Sequence, residues 1–360
     1  MAGLKEILND NLKSCKSNKY TDNHDFRRFG KINVIKKSVK KALVYTGVYK
    51  NHASKIIQNN IDRLSWLYDR LYDEESKKIF IGVLSFRVLG YERVRLPLNT
   101  REYWKKLEEL ESLAQETEEI KLGYFGWHLN KINLESEGYP VELFIRPYGI
   151  YAQFILQQYR CQINSSSIEV EEGDVVIDAG GCYGDTAINF ALNVGESGRV
   201  YCWEFMPENI DIFKRNMKLN EKYSRRIELV ENPLWSSSGK KLYISGVGPC
   251  ARLSLDPPRD KNQTTVVNTY TVDDLCSDKG LRALNFIKMD IEGAELEALI
   301  GAENTIRKFK PKLAISVYHN IQDFWEIPQW IDSLGLGYRF YLRHFTIHAE
   351  ETVLFAEVEK

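Results

Sequence analysis

From Asp174 onward, short apolar runs alternate with amphipathic stretches, and this rhythm constrains the fold more than any other feature of the chain. Val175-Val-Ile177, Val200-Tyr-Cys-Trp203, Ile227-Glu-Leu-Val230, Phe286-Ile-Lys-Met289 and Leu313-Ala-Ile-Ser-Val317 read as strands, with helices opening near Asp185, Pro207, Gly293 and Ile327. Apolar strands separated by helices predict a parallel sheet covered on both faces. The last two runs, Tyr338-Arg-Phe-Tyr-Leu342 and Thr352-Val-Leu-Phe-Ala356, have only a loop between them, so they predict an antiparallel hairpin on the otherwise parallel sheet.

The chain changes character near Ser165. Residues from about 35 to 115 read mainly as helix, with Leu64, Leu67 and Leu71 at helical spacing beside Trp66 and Tyr68. Asp73-Glu-Glu-Ser leads into the apolar run from Ile79 as a further helix with acids in its first turn. Tyr124–Asn133 and Val141–Arg146, broken by Glu137-Gly-Tyr-Pro140, predict a strand–turn–strand pair. Two units are therefore expected, an α-rich α+β region over 1–165 and an α/β domain over 166–360.

Composition removes several classes of function. Lys+Arg 49 against Asp+Glu 50 leaves a net charge of −1, which gives no chain-wide basic footprint for nucleic acid. No apolar run approaches the roughly 20 residues of a membrane-spanning helix, and Met1–Tyr20 lacks the apolar core of a secretory signal. Cys15, Cys161, Cys182, Cys202, Cys250 and Cys276 are scattered without a CxxC pair, which suits a reducing compartment. A cytoplasmic protein is expected. Lys31–Lys50, with Lys36, Lys37, Lys40 and Lys41 among apolar residues, reads as a solvated helix face whose basic character also suits weak contact with an anionic membrane.

Asp178-Ala-Gly180-Gly181-Cys182-Tyr183-Gly184-Asp185-Thr186 follows the first strand of the repeating part and opens its first helix. Glycines there let the backbone turn tightly and approach a ligand beside the unpaired N–H groups of a helix start. The spacing is not the G-x-G-x-x-G that cradles a pyrophosphate, and Gly184 is not followed by the Lys-Ser/Thr of a P-loop. Glu204, in Trp203-Glu204-Phe205, ends the second strand 26 residues after Asp178, where a carboxylate can accept hydrogen bonds from both hydroxyls of a ribose. These two motifs alone also fit a nicotinamide-dependent enzyme.

Lys288-Met-Asp290-Ile-Glu292-Gly293-Ala294-Glu295 narrows the choice. Together with Asp178–Gly184, Glu204-Phe-Met-Pro207-Glu-Asn209 and Tyr270-Thr-Val-Asp273-Asp274-Leu275, it resembles the FkbM family of S-adenosylmethionine-dependent methyltransferases over about residues 170–356. The resemblance implies a class I methyltransferase fold, α/β and Rossmann-like, with a mostly parallel sheet and an antiparallel C-terminal hairpin. It implies S-adenosylmethionine bound by Asp178, Gly180, Gly181, Gly184, Thr186, Glu204, Phe205 and Asp290, and O-methylation of a hydroxyl, often on a sugar in glycan or natural-product pathways. Cys182 stands where many members carry Asn. Glu231 or Asn232 is expected to bond the adenine amine, with Leu234 or Trp235 against the ring.

Methyl transfer from a sulfonium is an in-line displacement, and a sugar hydroxyl benefits from a base or from a metal that lowers its pKa. Candidates belong at the carboxyl ends of the fourth and fifth strands: Asp290, Glu292 and Tyr318-His319-Asn320. His319 is the first choice of base, because an ordinary imidazole titrates near neutrality. Asp290, His319 and Asn320 are also a donor set for a divalent metal such as Mg²⁺. His344 and His348 are candidates for the acceptor pocket, and so are the aromatic residues Tyr103, Trp104, Tyr124, Phe125, Trp127, Tyr148 and Tyr151, although most of these belong in a core. The expected partner is a carbohydrate or glycoconjugate acceptor. Residues 1–165 are expected to serve acceptor binding or oligomerisation, with the cofactor held by 166–360 alone. A polyketide-type small-molecule O-methyltransferase and a non-catalytic cofactor-binding scaffold are the rival readings; the intact motifs argue against the scaffold.

Overall fold

Seven strands form the central sheet of the computed structural model, which describes residues 3–25, 48–124, 126–164, 166–256 and 266–359. We label them β1 (Val175–Ala179), β2 (Arg199–Trp203), β3 (Ile227–Val230), β4 (Phe286–Met289), β5 (Lys312–Ser316), β6 (Tyr338–His344) and β7 (Thr352–Val358); their order across the sheet is β6-β7-β5-β4-β1-β2-β3. From β3 to β5 all neighbours are parallel, while β7 runs antiparallel to both β5 and β6. Chain order reverses between β1 and β4, and such a reversal opens a crevice at the carboxyl ends of the two strands. The register sets Lys288 of β4 beside Asp178 of β1, and Asp178 beside Cys202 of β2. All four side chains of β4 are buried, so Lys288 is a charge inside an otherwise apolar strand.

The connecting helices begin close to their expected starts. Asp185–Asn193 follows Gly184, whose φ of 84° lies in the left-handed region. Pro207–Leu219 has proline in its first turn, where a missing N–H costs nothing. Glu295–Ile300 is short and is followed by Glu303–Phe309. Asp323–Ser333 starts earlier than Ile327 and takes Pro328 within it. Between β3 and β4 lies a small antiparallel sheet of Lys241–Ser245, Arg252–Ser254 and Val266–Asn268, which the sequence pattern did not reveal.

The front part holds helices within the expected span, Val48–Asn59, Ile61–Arg70, Glu74–Leu89 and Arg101–Leu113, and a further one before it, Leu4–Cys15. Asp73 caps Glu74–Leu89, its carboxylate accepting from Ser76 N at 2.7 Å. The strand–turn–strand pair appears as His128–Asn133 and Glu142–Ile145, with Glu119–Lys121 as a third strand beside it. Lys31–Lys50 lies outside the described residues except for the first three positions of the helix Val48–Asn59, and Phe125 and Ser165 also lie outside them.

The front helices are packed into the same apolar cores as the sheet. Leu64, Leu67 and Phe80 share one core with Ile177, Phe324 and Phe340. Tyr103, Leu107 and Phe154 share another with Val176, Phe190 and Phe286, on the opposite sheet face by the alternation of β1. Leu342 N donates to Ser76 Oγ at 2.8 Å, and the Arg343 guanidinium bonds Asp73 at 2.7 Å. Among the described residues, no helix is long and apolar enough to cross a membrane.

Candidate active site

A cavity of about 550 Å³ opens over the carboxyl ends of β1, β2 and β4. Its floor is the glycine loop. The N–H groups of Gly180 and Gly181 donate to the carbonyl of Trp203 at 3.1 and 2.9 Å, folding the loop back over β2. Gly180 has φ +85°, and a Cβ there would overlap the backbone carbonyl oxygen of Asp290. Backbone cannot swing aside as a side chain can. Gly180→Ala is therefore expected to separate the ends of β1 and β4, lowering thermal stability and weakening S-adenosylhomocysteine binding by at least tenfold in calorimetry. Wild-type melting and affinity would show that the loop has room this geometry denies.

Lys288 holds the loop from beneath. Its ammonium pairs with Asp178 at 2.9 Å and donates to the carbonyls of Ala179 and Gly180 at 3.0 and 2.7 Å. Burial alone would lower its pKa; Asp178 and Asp290 outweigh burial and raise it, so the ammonium stays charged. The sequence showed a sign of this residue, a lysine within a buried strand, but not its role. Cys182 sits in the loop with φ +46°, a region that Asn occupies more readily. Burial holds its thiol well above the ordinary range, so it is not a thiolate nucleophile.

At the end of β2, Glu204 is aimed by three donors. Oε1 accepts from Phe205 N at 2.7 Å and Met206 N at 2.8 Å, and Oε2 accepts from Asn209 Nδ2 at 3.1 Å. Burial raises its pKa against the opposing pull of these bonds. A carboxylate offers about four acceptor positions, so capacity remains for a ligand. Phe205, Thr186, Asn232 and Leu234 also line the cavity. Glu231 does not; it is exposed and pairs with Lys214 at 3.0 Å. Trp235 packs in a core with Leu242 and Ala294.

Asp290, at the end of β4, lines the cavity beside the loop. Tyr159 donates to its Oδ2 at 2.9 Å and Tyr318 to its Oδ1 at 3.0 Å, so two phenols hold both oxygens. Tyr159 belongs to the front part and carries no motif, which is why the sequence did not reveal it. Glu292, at φ +56°, lines the cavity beside Asp290.

His319 lies behind this pair, with its side chain 4% exposed and outside the cavity lining. Nδ1 is 3.0 Å from Glu295, and Nε2 is 3.4 Å from Asp290 and 3.7 Å from Glu292. Burial alone would lower its pKa, but the Glu295, Glu292 and Asp290 carboxylates push it up to about 11. With these carboxylates favouring the protonated ring, and with the ring outside the cavity lining, the arrangement does not favour His319 as the base. Asp290, Glu295 and His319 do converge, but Asp290 is engaged by two phenols and Asn320 turns its amide toward Gly293. The set Asp290–His319–Asn320 does not fit a divalent metal.

His344 and His348 do not line the cavity. Burial pushes His344 down to about 3, and its Nδ1 meets Thr352 Oγ1 at 2.9 Å; His348 accepts from Asp25 N at 3.1 Å. Of the aromatic residues, Trp127 and Tyr148 line the cavity, Tyr124 shares a hydrogen bond with Tyr183 at 2.7 Å, and Tyr103 packs edge-on to Tyr151 in the core.

A sheet ordered β3-β2-β1-β4-β5-β7-β6 with its cavity above the glycine loop is the architecture of class I methyltransferases. Residues 178–340 match the family described as the methyltransferase FkbM domain. Over that span the chain is similar to the FkbM methyltransferase domain. The solved structure of methyltransferase FkbM from Methylobacillus flagellatus is 22% identical with a TM-score of 0.52, over 86% of this chain and 62% of that one. This chain thus spans less than two thirds of that protein, and the likeness speaks for the fold alone. Fibrillarin from Aeropyrum pernix, solved with S-adenosyl-L-methionine, is 12% identical over 67% of this chain and 93% of its own, with a TM-score of 0.38. An O-methyltransferase from Bacillus cereus, solved with S-adenosylhomocysteine, is 12% identical over 71% and 91%, with a TM-score of 0.36. No curated protein matches the chain.

Proposed function

We propose that the protein is an S-adenosylmethionine-dependent O-methyltransferase acting on a sugar hydroxyl. The observation that carries this reading is a single cavity lined together by the glycine loop, Glu204 and Asp290. Glu204 would take the ribose hydroxyls, Asn232 and Leu234 the adenine, and the sulfonium would face Asp290. The acceptor oxygen attacks the methyl carbon as the carbon–sulfur bond breaks, sulfur leaves as a neutral thioether, and the acceptor proton passes to the Asp290 carboxylate. Tyr159 and Tyr318 fix that carboxylate, and the His319 imidazolium holds it from behind. Glu292 is the second candidate for the proton.

A sugar acceptor is supported by the mixed wall near Asp290. Gln153, Gln158 and Glu351 offer donors and acceptors for hydroxyls, and Tyr148 and Trp127 offer ring faces. Much of this wall comes from residues before 165, in keeping with a front part that shapes the acceptor site. A polyketide-type hydroxyl is the alternative acceptor. Methyl-labelled S-adenosylmethionine offered with oligosaccharides and with phenolic or polyketide alcohols separates the two by which product carries the label. Glu204→Ala should weaken S-adenosylhomocysteine by about 1–3 kcal/mol, the scale of a hydrogen bond to a charged group. Unchanged affinity in calorimetry would place the ribose elsewhere.

A further inference from the structure

Arg87 stands in the last turn of the helix Glu74–Leu89, in the front part of the chain. Its guanidinium turns inward, 5.5 Å over the ring of the fully buried Phe324, with Nε shut off from solvent. A cation taken out of water needs acceptors within the protein. Asp323 and Glu350 face this one with their charges. A terminal nitrogen of the guanidinium also donates to two backbone carbonyls, Tyr318 at 2.7 Å and Ala349 at 3.4 Å. Both carbonyls lie outside the strands. β5 and β7 part just after the bond from Val317 N to the Thr352 carbonyl, so Tyr318 and Ala349 fall beyond the end of the ladder, where a carbonyl has to find another donor. Arg87 is that donor for both.

These two segments are also cavity wall. Tyr318 lines the cavity and donates its phenol to Asp290 Oδ1 at 3.0 Å; Glu350 and Glu351, next to Ala349, line it as well, and Arg87 does not. We propose that Arg87 is a positioning residue for methyl transfer: by holding the Tyr318 backbone against the Ala349–Glu351 loop, it keeps the Tyr318 phenol on the Asp290 carboxylate. This rests on the reading that Asp290 takes the acceptor proton. A phenol is a rigid ring on two torsions, so a shift of the Tyr318 backbone carries through to its hydroxyl. A displacement of about 1 Å near the reacting groups can cost about 10²-fold in rate. Arginine suits the place because it stays charged when buried and spreads its donors over a planar fork, whereas lysine offers one compact head. The front helix thus bears on the chemistry without touching a substrate.

The test reads Tyr318 directly. In the full chain labelled with meta-fluorotyrosine, the fluorine NMR signals of Tyr318 and Tyr159 are assigned by their absence in Tyr318→Phe and Tyr159→Phe. Arg87→Met should move the Tyr318 signal toward its position in Asp290→Ala, which has no carboxylate to receive the phenol. The Tyr159 signal should stay nearly in place, because that phenol reaches Asp290 from another segment. S-adenosylhomocysteine affinity within about twofold of wild type in calorimetry shows that the variant is folded. Transfer from methyl-labelled S-adenosylmethionine to the oligosaccharide that the wild type labels should fall by about tenfold or more, and by less than about threefold further in a Tyr318→Phe background. Arg87→Lys keeps the charge but holds the two carbonyls less firmly. It should show the same two changes at a smaller size, so it carries the test if Arg87→Met does not fold. An unmoved Tyr318 signal in both variants, an equal shift of Tyr159, or rate losses that multiply with Tyr318→Phe would overturn the proposal. If the Tyr318 signal moves as expected while Asp290→Asn keeps the wild-type rate, the reading of Asp290 beneath it falls instead.

Discussion

Asp290→Asn should lower turnover by about 10²–10⁴, the usual span for general acid–base catalysis, with S-adenosylhomocysteine affinity nearly unchanged. The amide keeps the shape and can still accept from Tyr159 and Tyr318 through its oxygen, but it cannot take a proton. Tyr159→Phe and Tyr318→Phe should each cost less, since each leaves the carboxylate in place with one phenol. The pH–rate profile should show no limb from His319 near neutrality, because that ring stays protonated up to about 11. Single-turnover rates across pH 5–9 would check this. A rate within threefold of wild type for Asp290→Asn would move the proton to Glu292, and a limb that vanishes in His319→Ala would restore the histidine base.

Lys288→Met should be the most destabilising single change near the site. It leaves Asp178 buried with its charge unpaired, and breaking a buried pair on one side costs about 3–5 kcal/mol. It also removes the lysine donor from the Gly180 carbonyl and leaves the Ala179 carbonyl with Asp290 N. The double variant Lys288→Met with Asp178→Asn should recover much of the stability in denaturant unfolding, because no lone charge remains, but not the cofactor affinity, because the loop is still unclamped. A single variant that unfolds at the wild-type midpoint would mean that water reaches Asp178.

The core sheet was legible because its parallel strands are buried on both faces and therefore read as short unbroken apolar runs. The glycine loop was legible because Gly180 and Gly184 have positive φ, which favours glycine there. The small sheet from Lys241 to Asn268 was not, since strands of three to five residues set no clear period. Tyr159 reaches Asp290 across 131 residues, and nothing in its neighbours announces the contact. His319 shows a different limit. Its position after β5 is visible in the sequence, but whether the ring faces the cavity or a nest of carboxylates depends on the turn through Glu292 and Gly293, at φ +56° and +97°. Chemistry that depends on a side chain's direction became visible only with the fold.

The seam between the helix Glu74–Leu89 and β6 bears on how the protein is made. Leu342 meets Ser76 across 266 positions, and Phe80, Val83 and Leu84 of that helix are fully buried only once the later strands have formed. At about 5–20 residues per second of synthesis, the helix waits on the order of 13–50 s for its cover. A nascent chain in that interval carries an unprotected greasy surface. A chaperone that covers apolar surface during translation would act on that face.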